Sequence, residues 1–164
     1  MITGKPEHLK AFDYLGPYRY FLTFCTYQRR EVFLTRERAD VVHEQFMRVG
    51  ADEGFEILAC CFMPDHVHLL AEGRAADSDC RKFIARAKQL SGFYFQKMFG
   101  QRLWQRYGFE RTLRGEESTL AVARYILENP VRAGLVKRVE DYAFLGSCIH
   151  SIDEILTAAE WRSG

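Results

Sequence analysis

The chain has 164 residues, 48% of them hydrophobic and 14% aromatic, which excludes a disordered polypeptide and fits one domain with a substantial core. No basic stretch leads into an apolar segment near the N-terminus, and no window approaches the roughly eighteen apolar residues of a membrane span, so a cytoplasmic location is expected. The net charge of +1 conceals a basic middle: from Arg81 to Arg114 there are nine Lys/Arg against one acid, Glu110, whereas the last 26 residues carry Glu140, Asp141, Asp153, Glu154 and Glu160 against Arg162.

Residues 1–17 show no periodicity and read as an arm. Tyr18 to Tyr27 is aromatic and β-branched, the signature of a first strand. From Arg36 to about Glu53, Ala39, Val42, Phe46 and Val49 recur at helical spacing, and Gly54 ends the helix. Phe55 to Phe62 is a second strand, Pro64-Asp65 a turn and His66 to Glu72 a third strand. Asp77 to Met98 is a second long helix, capped by Asp77, Ser78 or Asp79 and closed by Gly100. Leu103 to Leu113 reads as a fourth strand broken near Gly108, and Glu116 to Glu128 as a third helix. A short turn of helix then runs to Gly134, and an irregular tail completes the chain. The order β-α-β-β-α-β plus a helix is that of an α+β, ferredoxin-like or RRM-like antiparallel sheet with helices on one face and one further helix. Residues 18–148 form the expected domain, and 149–164 a tail whose acidic stretch is expected to lie over the basic surface.

A strand has a side-chain period of two, so His66 and His68 project together while Val67 points away. Two neutral imidazoles on a rigid strand can hold one divalent metal, although such a pair also occurs merely solvated or hydrogen-bonded. The five cysteines are scattered, and adjacent Cys60 and Cys61 face opposite sides of a strand. They read as reduced, buried residues and not as a zinc site. In the third helix Tyr125 and Asn129 stand four residues apart on one face. Tyr125 is either a packing residue or a nucleophile. Asn129 is either a cap for the Pro130 turn or a polar ligand. Glu128 is either a general base or a solvated helix residue. In the basic middle, cations interleave with Phe93, Trp104 and Tyr107, a composition suited to single-stranded nucleic acid.

Three separated segments carry a family likeness: Phe62-Met-Pro-Asp-His-Val-His-Leu-Leu70, Leu103-Trp-Gln-Arg106 with Arg111 and Glu116-Glu117, and Tyr125-Ile-Leu-Glu-Asn-Pro-Val-Arg-Ala-Gly-Leu-Val136. Over roughly residues 18–148 the chain resembles the REP-associated tyrosine transposases, a branch of the single-tyrosine, HUH-type transposases. The resemblance implies a single-strand DNA endonuclease and strand transferase acting on hairpins of palindromic repeats. It makes His66, His68 and Asn129 ligands of Mg²⁺ or Mn²⁺ and Tyr125 the nucleophile that forms a 5′-phosphotyrosine. Arg86, Lys88, Arg106 and Arg111 are the expected phosphate contacts, Trp104 is expected to pack or stack on a base, and Arg29-Arg30 to add to this surface. Monomer and homodimer both stay open.

Two other readings compete with this one. A non-catalytic RRM-like module lacks the expected aromatic strand signature. A metal-dependent hydrolase would activate water at the histidines and leave Tyr125 to pack.

Overall fold

Alternation along a central strand sorts the sheet into two faces. In the computed structural model, which describes residues 14–107, 109–113, 119–146 and 151–157, strand β1 (Arg19–Cys25) sends Tyr20, Leu22 and Phe24 into one core and Phe21 into another. It lies between β4 (Phe109–Leu113) and β3 (His66–Gly73); β2 (Phe55–Met63) and the two-residue β5 (Leu145–Gly146) complete the antiparallel order β4-β1-β3-β2-β5.

Helices α1 (Arg36–Glu53) and α2 (Cys80–Phe99) cover the first face. Thr35 caps α1 by accepting from the Arg38 amide, and Asp79 caps α2 by accepting from that of Lys82, each satisfying an otherwise orphaned donor. Gly54 and Gly100, at φ of 72° and 69°, end the two helices in the left-handed conformation that glycine adopts most easily. Between helices and sheet, Phe46 is wholly buried, with its ring centroid 5.7 Å from that of Phe24 and 6.2 Å from those of Phe62 and Trp104. Truncation by Phe46→Ala is expected to cost about 3–5 kcal/mol, measured as a fall in the urea midpoint with an unchanged slope.

The second face carries α3 (Thr119–Leu127), whose Val122, Ala123, Ile126 and Leu127 pack on Phe21, Leu58, Cys61, Met63 and Leu70. A register shift between Ile57 and Ala59 makes this possible. A β-bulge reverses the inside–outside alternation, so Cys61 and Met63 face α3 while Cys60 and Phe62 face α1 and α2. Cys25, Cys60, Cys61 and Cys80 are buried thiols outside any disulfide among the described residues. The architecture is thus the expected α+β sheet, with a helix pair on one side and the tyrosine-bearing helix on the other.

Three expectations need correction. β1 stops at Cys25, because Gln28 and Arg29 both adopt positive φ, 54° and 55°, and turn the chain through Tyr27–Arg29. Leu103 and Trp104 do not belong to β4; both are buried in the first core, and only an isolated bridge joins Thr26 to Trp104. Gly108, the expected break, and Glu116–Ser118, the expected start of α3, lie outside the described residues. Nor is the segment after Gly134 irregular throughout: β5 pairs with β2, and α5 (Ile152–Leu156) buries Ile155 in the second core. In the described part of the acidic tail Val139 and Ile155 are buried in the second core, and Asp141 pairs with Arg138 at 3.5 Å. No helix among the described residues is long and apolar enough to cross a membrane.

Candidate active site

The Pro64-Asp65 turn delivers the chain into β3, and strand alternation puts His66 and His68 on the α3 face while Val67 is fully buried in the opposite core. Their ring centroids are 4.7 Å apart, and the two Nε2 atoms face each other at 3.2 Å. Each remaining nitrogen is engaged: His66 Nδ1 meets Asp65 Oδ1 at 2.7 Å, and His68 Nδ1 meets the hydroxyl of Thr23, its cross-strand partner on β1, at 2.9 Å. Arg29 Nε donates to the second oxygen of Asp65 at 3.0 Å.

Electrostatics favour a neutral, electron-donating His68. Burial, followed by the charges of His66, Arg132 and Arg29, pushes its pKa down to about 3. Burial would raise the Asp65 carboxyl, but the hydrogen bond from His66 and the charge of Arg29 outweigh it and hold Asp65 below the usual range. Two donors about 2.1 Å from one ion at a right angle stand about 3 Å apart, so the paired Nε2 atoms fit a shared divalent cation. Among the described residues no third His, Cys, Asp or Glu joins them. A further protein donor would therefore be a group such as the Asn129 carboxamide.

Tyr125 reaches the same region from α3. Its ring lies 6.3 Å from that of Phe21, which in turn packs edge-on against His68 at 5.5 Å. Asn129 is the first residue of α4 (Asn129–Arg132); the cap position belongs to Glu128, and no side-chain capping bond forms. The capping reading of Asn129 is therefore set aside. Arg132 binds both ends of the segment, with its guanidinium 3.8 Å from the Tyr125 ring centroid and Nη2 donating to the Tyr125 carbonyl at 2.5 Å and to Asn129 Oδ1 at 3.4 Å. Glu128 accepts from Arg124 Nε at 2.7 Å, an i,i+4 ion pair on the helix.

The expected nucleic-acid contacts separate. Arg86 is held by Glu53 at 2.5 Å and Asp52 at 3.4 Å, and Lys88 donates to the carbonyls of Gln105 and Arg106 at 2.9 and 3.2 Å. Both belong to α2, across the sheet from the histidines. Trp104 is a core residue whose indole N–H donates to Ser91 Oγ at 2.8 Å; of its two expected roles, packing and base stacking, the buried ring takes the first. Arg106 is exposed beside Tyr107. Arg111 has its backbone in β4, opposite Phe21, and its side chain lies outside those described. Thr23, Phe21 and Arg132 escape sequence reasoning. The first two are named only by strand register, whereas Arg132 stands within the Asn-Pro-Val-Arg run and carries a visible signal. Asp65 is legible as the neighbour of His66 but reads in the sequence only as a turn residue.

An antiparallel sheet with paired histidines on one strand and a tyrosine on a helix over the same face agrees with the fold that the three sequence segments imply. The family model described as "Transposase IS200 like" matches residues 16–129, and the chain belongs to that family. It is similar to the REP-associated tyrosine transposase of Escherichia coli K12, 28% identical over 125 residues that span 76% of this chain and 73% of the relative. It is also similar to the ISDra2 transposase TnpA of Deinococcus radiodurans, 33% identical over 105 residues, 60% of this chain and 74% of the relative. A solved REP-associated tyrosine transposase bound to a REP hairpin shares the fold, with a TM-score of 0.69 at 24% identity over 85% of this chain and 81% of the other.

Proposed function

We propose that the chain is a metal-dependent endonuclease and strand transferase for single-stranded DNA, acting at hairpins of palindromic repeats through a 5′-phosphotyrosine. The observation that carries this reading is the pair of Nε2 atoms at 3.2 Å, each imidazole fixed through its other nitrogen, on the sheet face that receives the Tyr125 helix. The hairpin held by the structural relative supports the substrate class.

His66, His68 and the Asn129 carboxamide would hold Mg²⁺ or Mn²⁺. When bound, the ion neutralises charge gathering on a non-bridging oxygen of the scissile phosphate. The protein's own groups do the rest. Tyr125 Oη attacks phosphorus in line, the phenolic proton leaves, the P–O3′ bond breaks and the departing oxygen is protonated as a 3′-hydroxyl. A phosphodiester is exchanged for a phosphotyrosyl diester, so a later 3′-hydroxyl can reverse the step and join strands. Arg132, stacked on the Tyr125 ring and bonded to its carbonyl, restrains the nucleophile before attack. Asp65 and Thr23 aim the histidines: with Nδ1 occupied, each Nε2 is left to donate its lone pair.

The direct test incubates the protein and Mn²⁺ with a single-stranded repeat hairpin and with the same sequence as a duplex. Cleavage of the hairpin alone, leaving a 3′-hydroxyl and a protein-linked 5′ end, is expected; equal cutting of both forms would defeat the reading. Asp65→Asn and Thr23→Val are each expected to weaken Mn²⁺ binding about 10- to 100-fold, read by electron paramagnetic resonance of the free ion without any DNA present.

A further inference from the structure

The paired histidines and Tyr125 account for the scissile phosphate but not for the strand on either side of it. Beyond Cys25, which pairs with His66, the Thr26 amide donates to the Asp65 carbonyl at 3.0 Å and the Thr26 hydroxyl to the Arg30 carbonyl at 2.7 Å. The Tyr27–Arg30 turn therefore borders the histidine end of the sheet. The Tyr27 amide donates to the Leu103 carbonyl at 2.8 Å and the Gln105 amide to that of Cys25 at 3.1 Å, which fastens the irregular 102–107 segment alongside. Lys88 Nζ and the Trp104–Ser91 hydrogen bond secure it from behind. An irregular segment held at so many points is a built surface.

The side chains it presents alternate cation and ring. The Arg102 guanidinium lies 4.2 Å from the Tyr27 ring centroid and that of Arg30 lies 5.6 Å from it; Arg106 lies 5.3 Å from the ring of Tyr107, which is 39% exposed. Among the described residues neither Arg102 nor Arg106 has a carboxylate partner, in contrast to Lys82 and Arg86 on α2, which Glu53 neutralises. The consecutive positive φ values at Gln28 and Arg29 are costly for residues with a Cβ. They swing Arg29 onto Asp65 while Tyr27 and Arg30 stay at the rim. A guanidinium laid on a ring keeps its N–H edge for phosphate and its outer plane for a base. Such alternation matches an unpaired strand, whose bases are free to stack, better than a duplex whose bases are enclosed.

We propose that Tyr27, Arg30, Arg102, Arg106 and Tyr107 form a track for the unpaired DNA segment that adjoins the scissile phosphate. This rests on the single-stranded DNA reading of the site and assigns to this rim the flank, as distinct from the hairpin stem. The test compares wild type with the Arg102→Ala/Tyr107→Ala variant by fluorescence anisotropy. The DNAs are a blunt repeat hairpin and the same hairpin with about ten unpaired nucleotides on its 5′ or its 3′ side. Wild type is expected to favour one flanked form. The variant is expected to lose that preference at least about tenfold, with the salt slope on flanked DNA reduced by about 0.7 for the phosphate contact removed, and to change less than about twofold on the blunt hairpin. Unchanged melting temperature and Mn²⁺ binding exclude misfolding as the cause. Equal losses on blunt and flanked DNA, or no loss on either, would overturn the track and leave the DNA reading standing. Failure of wild type to bind any of the three DNAs would overturn both.

Discussion

Tyr125→Phe is expected to abolish the protein–DNA adduct and to lower strand cleavage by at least about 10³-fold, while binding of the hairpin stays within about twofold. Only the hydroxyl is removed. The ring that contacts Phe21 and stacks under Arg132 remains, so α3 keeps its packing and no cavity opens. A fall in cleavage with preserved affinity and melting temperature separates loss of a nucleophile from loss of fold. In a hydrolase that activates water at the histidines, the same variant would cut at the wild-type rate and release free 5′-phosphate ends. The two chemistries thus diverge most at this atom.

The second large effect is expected at the histidines. His66→Ala and His68→Ala should each eliminate measurable Mn²⁺ binding, because one imidazole with the weakly donating Asn129 carboxamide cannot replace the histidine pair. Cleavage is expected to fall at least about 10²-fold in each. The variants should differ in stability: His68 is hydrogen-bonded to Thr23 and packed against Phe21, whereas His66 touches Asp65 at the end of the strand. Calorimetry should therefore show the larger drop in melting temperature for His68→Ala, with hairpin affinity retained in both. Metal binding that survives either substitution would place the ion elsewhere.

Local patterns carry much of the fold. Helical spacing and the Asp79, Gly54 and Gly100 signals locate α1 and α2, because caps and glycine turns act within a few residues. The face shared by His66 and His68 follows from strand alternation alone. Features that depend on register are hidden: nothing in the sequence says that Thr23 sits opposite His68, or that a bulge at Ile57/Ala59 moves Cys61 onto the α3 face. Charge misleads more than apolarity does. Arg86 and Lys88 stand in a basic run, yet Glu53, Asp52 and two backbone carbonyls occupy them. Trp104 looks available for stacking because a lone tryptophan among arginines carries no mark of the core it fills. The tail is unreadable for a different reason: β5 has two residues and α5 five, too few for any period to emerge.

The central claim is that a tyrosine, not water, takes the phosphate. The most direct measurement is peptide mass spectrometry of the full chain after incubation with Mn²⁺ and a single-stranded repeat hairpin, then nuclease trimming. A nucleotide-bearing phosphate on the peptide containing Tyr125, with the fragment pattern placing it on that side chain, is the predicted result. Cleaved DNA recovered with free 5′-phosphate ends while Tyr125 stays unmodified would contradict it.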